Sequence, residues 1–367
     1  MAHDRLVTHK KLSALWHSKD IPILATKGQR FVIMSDLHLG DGGRADDARD
    51  NEQTMLTALA YYKKKHYTLI LLGDIEEFWQ FTQEEITKRY RNTIYRAINA
   101  FGDERVYRVF GNHDREWGAS PDPVRNDPNR FRSATEAIKL RDGTGAVRML
   151  LVHGHQGDEA VYRHPWRTRF FVRLYRLVEP YLKFDRHTSA TQSQITKRYE
   201  RIMYSWAKRR RVILICGHSH HAIFASQSYA DRLRAAIAAL EAEIAANPID
   251  SKLSGKENRL IKQLHEKLRE ELRVRRDINP VEAGRTPLPC YFNAGCALYT
   301  DGITVLELAD GELRLVKWHK DGRRRPPYEI YARDSLRALG AAIMQSPSGI
   351  WGKKKGSSWK LVGKIFM

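Results

Sequence analysis

The sequence predicts a layered α/β fold with its functional residues gathered at one end of the strands. Two observations carry that expectation. Five β-branched and aliphatic runs are each followed at once by side chains able to hold a metal. Phe31–Ser35 leads into Asp36-Leu37-His38, Thr68–Leu72 into Gly73-Asp74, and Val106–Phe110 into Gly111-Asn112-His113-Asp114. Val147–Val152 leads into His153-Gly154-His155, and Val212–Cys216 into Gly217-His218-Ser219-His220. Stretches of helical periodicity separate the runs, as at Asp50–Lys65 ahead of the strand at Thr68, which is the pattern of parallel strands. In such folds the ligand crevice lies outside the carboxyl ends of the strands, so the five tips are expected to converge. Singly, an Asp-x-His or a His-x-His is an ordinary turn; carboxylate, amide and imidazole groups at the same position five times are not.

Residues 1–30 read as an N-terminal extension with one short helix around Lys11–Trp16. After His38 the loop Leu39–Gly43 reaches Asp46, Asp47, Asp50 and Glu52, acids suited to the dipole of the coming helix, with Asp41 the one placed to orient a ligand. Ile75–Trp79 leads into a helix ending near Phe101, and Trp79 and Phe81 read as core. Val161–Phe184 reads as a basic, aromatic amphipathic helix: Trp166, Phe170, Leu174, Leu177 and Tyr181 form its apolar stripe. Such a helix suits a membrane interface or a lid over an amphiphilic substrate, as well as ordinary packing. A further helix is expected over Ser193–Arg210.

From Tyr229 to Asp277 two stripes, Leu233, Ile237, Leu240, Ile244 and Ile261, Leu264, Leu268, Leu272, are separated by Asn247-Pro248 and Ser254-Gly255. They predict a helical hairpin, a homodimerisation or substrate-gripping arm, spanning 229–280 and inserted into a domain made of 31–228 and 281–320. Gly302–Leu308 and Leu313–Trp318 then read as antiparallel strands, and 321–367 as a basic C-terminal tail.

The chain has 367 residues and a net charge of +20. Residues 1–160 hold 24 Lys or Arg against 23 Asp or Glu, and the remainder 39 against 20, so the excess lies in the second half. A basic surface concentrates anionic partners, whether a phosphate-containing substrate, nucleic acid or an acidic membrane leaflet. Met1–Arg30 is mixed and charged, without the pattern of a signal peptide, and no apolar run is long enough to span a bilayer. A cytoplasmic protein, peripheral at most on the inner face of the membrane, is expected. Cys216, Cys290 and Cys296 sit in apolar runs and read as packing residues.

The ordered series Asp36-x-His38, Gly73-Asp74, Gly111-Asn112-His113-Asp114, His153-Gly154 and Gly217-His218-x-His220 resembles the calcineurin-like metallophosphoesterase superfamily. The resemblance covers roughly Phe31–His221, and Asn293-Ala294-Gly295 is similar to a later strand turn of that family. It implies a four-layer α/β/β/α sandwich and a phosphoesterase using two divalent metals. Asp74 is the natural bridging carboxylate. By resemblance Asp36, His38 and His220 complete one metal site, and Asn112, His153 and His218 the other. His113 then stands over the leaving oxygen with Asp114 orienting it, and Glu77 occupies a place where the family often carries an acid near the metals. Mixed imidazole, carboxylate and amide donors suit Mn²⁺, Fe or Zn²⁺ better than Ca²⁺.

Within the superfamily, Ser35–Leu39, Gly73–Trp79 and His153-Gly154 with Asp158 and Tyr162 look most similar to the UDP-2,3-diacylglucosamine pyrophosphatase group. That group has Arg where this chain has His113 and Asp where it has His155, and it lacks the hairpin and tail. The expected activity is hydrolysis of a phosphate ester or diphosphate, such as that of a sugar-nucleotide lipid, by a metal-bound hydroxide. The alternatives are a nuclease or cyclic-nucleotide phosphodiesterase and, in another class, a non-catalytic scaffold.

Overall fold

A computed structural model describes residues 2–119, 134–157, 190–246, 251–275, 287–320 and 326–345. The strands are β1 (Ile23–Ala25), β2 (Phe31–Met34), β3 (Thr68–Leu72), β4 (Val106–Val109), β5 (Ala137–Arg141), β6 (Val147–Val152) and β7 (Ile213–Cys216). Then follow β8 (Ala222–Phe224), β9 (Gln227–Ser228), β10 (Tyr291–Ala294), β11 (Gly302–Ala309), β12 (Glu312–His319) and β13 (Tyr328–Ser335). They form two sheets, ordered β1, β5, β6, β7, β10, β8, β9 and β13, β12, β11, β2, β3, β4.

Every residue of β2 and β3 is buried, as expected of parallel strands covered on both faces. Alternation then sorts them. Phe31, Ile33, Ile70 and Leu72 join the core shared with the other sheet, while Val32, Met34, Leu69 and Leu71 pack with Met55, Ala58, Leu59 and Tyr62 of the helix Glu52–Lys64. Helices Ala2–His17 and Ala190–Arg210 contribute Leu12, Leu15, Met203 and Trp206 to the first core, completing the layered sandwich.

Register aligns the functional ends. Phe31 pairs with Thr68 and Leu69 with Val106, so β2, β3 and β4 all run the same way and release Asp36, Asp74 and Asn112 at one edge. In the other sheet Leu151 pairs with Ile215 and Ile215 with Phe292, which releases His153, His218 and Asn293 together.

Two expectations about the periphery change. The N-terminal segment is part of the sandwich: its helix is 16 residues long, Ser13 Oγ accepts from Trp206 Nε1 at 3.0 Å, and β1 pairs with β5. The tail expected from 321 onward includes β13, paired with β12, and the helix Leu336–Gln345, which buries Leu339 and Ile343. The eight-residue run Tyr328–Ser335 is an outer strand with mostly half-buried side chains, so its apolar pattern is faint. The amphipathic stretch 161–184 and residues 346–367 lie outside the described residues. Among the described residues no helix is long and apolar enough to cross a membrane, and the three cysteines are buried.

The hairpin consists of helices Tyr229–Ala246 and Ser251–Arg275, packed on each other between β9 and β10. It is anchored to the second sheet: Tyr229 stacks on Tyr331 with ring centroids 3.8 Å apart, and Lys267 Nζ lies 2.5 Å from Glu329 Oε1. Burial alone would raise the Glu329 pKa, but His319 and Lys267 hold it down at about 2. A depressed carboxylate stabilises the fold above its ordinary value near 4.5, and that contribution is lost as pH falls toward 2. The melting-temperature gap between the native chain and Glu329→Gln is therefore expected to close between about pH 4.5 and pH 2. A gap that is constant down to pH 3 would contradict this tie.

Candidate metal centre

Backbone strain marks the site before its side chains are considered. Among the described residues ten non-glycine residues have positive φ, and five of them are Asp36, His38, Asp74, His218 and His220. Each such conformation costs on the order of 1–3 kcal/mol and persists only where the surroundings enforce it. Close approach adds a second constraint. A Cβ on Gly111 would collide with Asp74, and one on Gly217 with Ser35 and Asp36.

Asp74 is the hub. Its Oδ2 lies 3.0 Å from His153 Nε2 and 4.0 Å from both His38 Nε2 and His113 Nε2, while its Oδ1 accepts the His113 backbone N–H at 2.8 Å. On one side Asp36, His38 and His220 come together, with His220 Nε2 3.3 Å from Asp36 Oδ1 and 3.3 Å from His38 Nε2. On the other side Asp74, His153 and His218 form a second donor group. The nitrogen and oxygen atoms within each group lie within 4.8 Å of one another.

The orientations suit a cation. His153 Nδ1 donates to the Leu72 carbonyl at 2.8 Å, which fixes the tautomer and leaves Nε2 facing Asp74. Asn112 Oδ1 is buried and has no hydrogen-bond partner among the described residues, and buried His153 Nε2 has only its 3.0 Å approach to Asp74 Oδ2. Orphaned buried acceptors beside paired carboxylates are what a metal site presents when its ion is left out of account. Electrostatics agree. Burial favours neutral Asp36 and Asp74, yet the imidazoles around them hold both well below the usual carboxylate range. Burial likewise opposes charge on His153, but Asp74 and Asp36 push it up to about 9. The carboxylates demand positive charge, which protons or divalent ions can supply.

A third group contains Glu77, His38 and His113. Glu77 Oε2 accepts from His38 Nδ1 and Oε1 from His113 Nδ1, each at 2.7 Å, so one carboxylate fixes two rings and turns both Nε2 atoms toward Asp74. Burial opposes its charge, but the two imidazoles hold its pKa at about 2. Glutamine has only one acceptor oxygen and cannot serve both N–H groups. Glu77→Gln is expected to weaken metal binding 10–100-fold in a calorimetric titration, and unchanged affinity would contradict this role.

The family model of the calcineurin-like phosphoesterases matches residues 29–222, more than half of the chain, and its span takes in every one of these side chains. The chain belongs to the calcineurin-like phosphoesterase family. No curated protein matches it. The phosphoesterase is thus a member of a family of metal-dependent hydrolases of phosphoester bonds.

Two sequence readings of this phosphoesterase's site change. Asp114 does not orient His113: its Oδ1 accepts from Gly111 N–H at 2.6 Å, its Oδ2 from Ile75 N–H at 2.9 Å, and Arg108 lies 3.5 Å away. Two backbone donors capture the carboxylate below the loop, and Glu77 takes the ring instead. Trp79 is half-buried, not core: it stacks on His113 at 3.9 Å between centroids, and its Nε1 donates to the Asn112 carbonyl at 3.0 Å. Phe81 is buried as expected. Asp41 Oδ1 accepts from Gly43 N–H at 2.8 Å within its own loop, and Asp46 caps the turn at Asp47–Asn51. His155 is buried beside Phe110 and His153 and lies outside the three donor groups.

Supporting residues around the ligand groups hold the loops. Asn293 Nδ2 donates to the Gly217 carbonyl at 2.6 Å and lies 2.9 Å from Ser219 Oγ, steadying the turn that carries His218 and His220. Beneath Asn112–Asp114 the buried Arg108 pairs with Glu76, whose carboxylate also accepts from Tyr95 and Trp117. Breaking such a pair strands a buried charge. Arg108→Met is expected to cost about 3–5 kcal/mol in chemical denaturation, and a loss below about 1 kcal/mol would contradict the account.

Proposed function

We propose that this phosphoesterase hydrolyses a phosphate ester or diphosphate at a two-metal centre bridged by Asp74. The observation that carries the reading is the position of Asp74 Oδ2, within 4.0 Å of three imidazole nitrogens that belong to different strand tips. Asp36, His38 and His220 hold one ion, and Asn112, His153 and His218 the other, with Asp74 shared. When bound, the pair supplies Lewis acidity that activates water and takes up phosphoryl charge. Imidazole, carboxylate and amide donors suit Mn²⁺, Fe or Zn²⁺, and Mn²⁺ is the ion proposed here.

The chain's own residues do the rest. Glu77 and the Leu72 carbonyl set the tautomers of His38 and His153. His113, held from behind by Glu77 and covered on one face by Trp79, presents Nε2 to the reacting group. From there it donates a proton to the leaving oxygen or stabilises its charge. The basic second half of the chain draws the anionic substrate in.

The substrate class proposed is a sugar-nucleotide diphosphate carrying a lipid, on the pattern of Gly73–Trp79. The test is a metal-reconstituted panel of bis(p-nitrophenyl) phosphate, a monoester, a lipid-bearing sugar-nucleotide diphosphate and single-stranded DNA. Metal-dependent turnover fastest on the lipid-bearing diphosphate is expected. Faster, salt-sensitive cleavage of the DNA would favour a nuclease. No turnover with Mn²⁺, Fe or Zn²⁺ would leave a scaffold.

A further inference from the structure

The end of the sandwich opposite the metal centre carries a second concave surface. The chain enters β2, β3 and β4 there, next to Arg30, Thr68 and Arg105, whereas the clustered imidazoles lie past the other ends of the same strands. A cleft of about 1060 Å³ at this end is lined by Lys27, Arg30, Lys65, Arg105 and Arg337, against Glu104, Asp142 and Asp310. Asp310 is taken by Arg30 at 3.1 Å. Among the described residues the side chains of Lys27, Lys65, Arg105 and Arg337 make no hydrogen bond or ion pair.

The cleft continues into an apolar slot of about 290 Å³, with which it shares Asp142, Thr144, Leu336 and Arg337. Met149, Ile213, Ile343 and Met344 line the slot, joined by Arg148 and Arg211. Met344 is one of three large apolar side chains left exposed among the described residues.

Gly340 gives the slot its shape. It sits inside the helix Leu336–Gln345, where glycine is less stable than alanine because it loses more backbone freedom on folding. No packing requires it, since a Cβ there would meet nothing within 4 Å. What the glycine provides is open volume in the slot wall.

We propose that this groove binds a single-chain anionic amphiphile, its alkyl chain lying along Gly340 and Met344 and its phosphate head over Arg337 at the mouth of the basic cleft. Arg337 at the mouth of the apolar slot, beside Arg211 and an Arg148 that Asp142 pairs at 3.4 Å, complements such a ligand in both charge and polarity. The same charges oppose occupation by the chain's own C-terminal run, because Lys353–Lys355 would bring like charge to Arg148, Arg211 and Arg337.

The test is calorimetric titration of the metal-loaded full-length protein with decyl phosphate below its micelle concentration, alongside decanoate, decanol and inorganic phosphate. Decyl phosphate is expected to bind at least tenfold more tightly than the other three. Gly340→Trp, which fills the slot, and Arg337→Glu, which inverts the head-group contact, are each expected to weaken it at least tenfold. Both variants should keep the native melting temperature to within a few degrees and the native rate on bis(p-nitrophenyl) phosphate. Binding that survives both substitutions would place the ligand at the metal centre and overturn the proposal. So would equal binding of inorganic phosphate, or no binding by the full chain.

Discussion

Replacing Asp74 is expected to remove bound metal and hydrolysis together. The Oδ2 atom stands between the two donor groups, and its loss takes a ligand from both at once. Asparagine is the sharper substitution. Asp74 has φ 52°, a left-handed conformation that asparagine tolerates and alanine does not, so Asp74→Asn keeps the backbone turn and the bond from His113 N–H while removing the charge. Elemental analysis is expected to fall from two ions per chain to fewer than one, with turnover at background and an intact fold by circular dichroism. Retention of two ions would contradict the bridge.

His113→Ala is expected to keep both metals and lower kcat by roughly 10²–10⁴-fold, the range for losing a general acid. Its Nε2 lies 4.0 Å from Asp74 Oδ2, its Nδ1 is held by Glu77, and the residue stands outside the groups Asp36, His38, His220 and Asp74, His153, His218. Proton donation predicts a loss that grows as the leaving group becomes poorer. An equal loss for nitrophenyl and alkyl leaving groups would assign His113 to charge stabilisation, and loss of metal would make it a ligand. Trp79, stacked on the His113 ring and held by the bond from its Nε1 to the Asn112 carbonyl, restricts how far the ring can swing.

Much of this centre was legible because its residues follow strands whose apolar runs are unambiguous. Asp36, Asp74, Asn112, His153, His218 and His220 all sit within a few residues of a buried strand end, so parallel pairing alone brings them together. Glu77 stands among the same motifs, yet its double contact depends on side-chain direction after a turn, which spacing does not determine. Asp114 illustrates the converse. Adjacency to His113 invited a pairing, but the N–H groups of Gly111 and Ile75 offered the carboxylate a better partner. Trp79 was weighed by the habit of aromatics to be buried, and a half-exposed indole over a histidine has no signature in the sequence. At the periphery, β1 and β13 are edge strands of the two different sheets with muted alternation, and outer strands leave little apolar trace. The hairpin, by contrast, was plain from its stripes: Leu233, Ile237, Leu240 and Leu264 are buried.

The most direct measurement of the central claim is anomalous scattering from crystals of the Mn²⁺-reconstituted chain. Two peaks about 3.5–4 Å apart are expected, one among Asp36, His38 and His220, the other among Asn112, His153 and His218, with Asp74 between them. A single peak, or a peak enclosed by His38, Glu77 and His113, would contradict the two-metal centre.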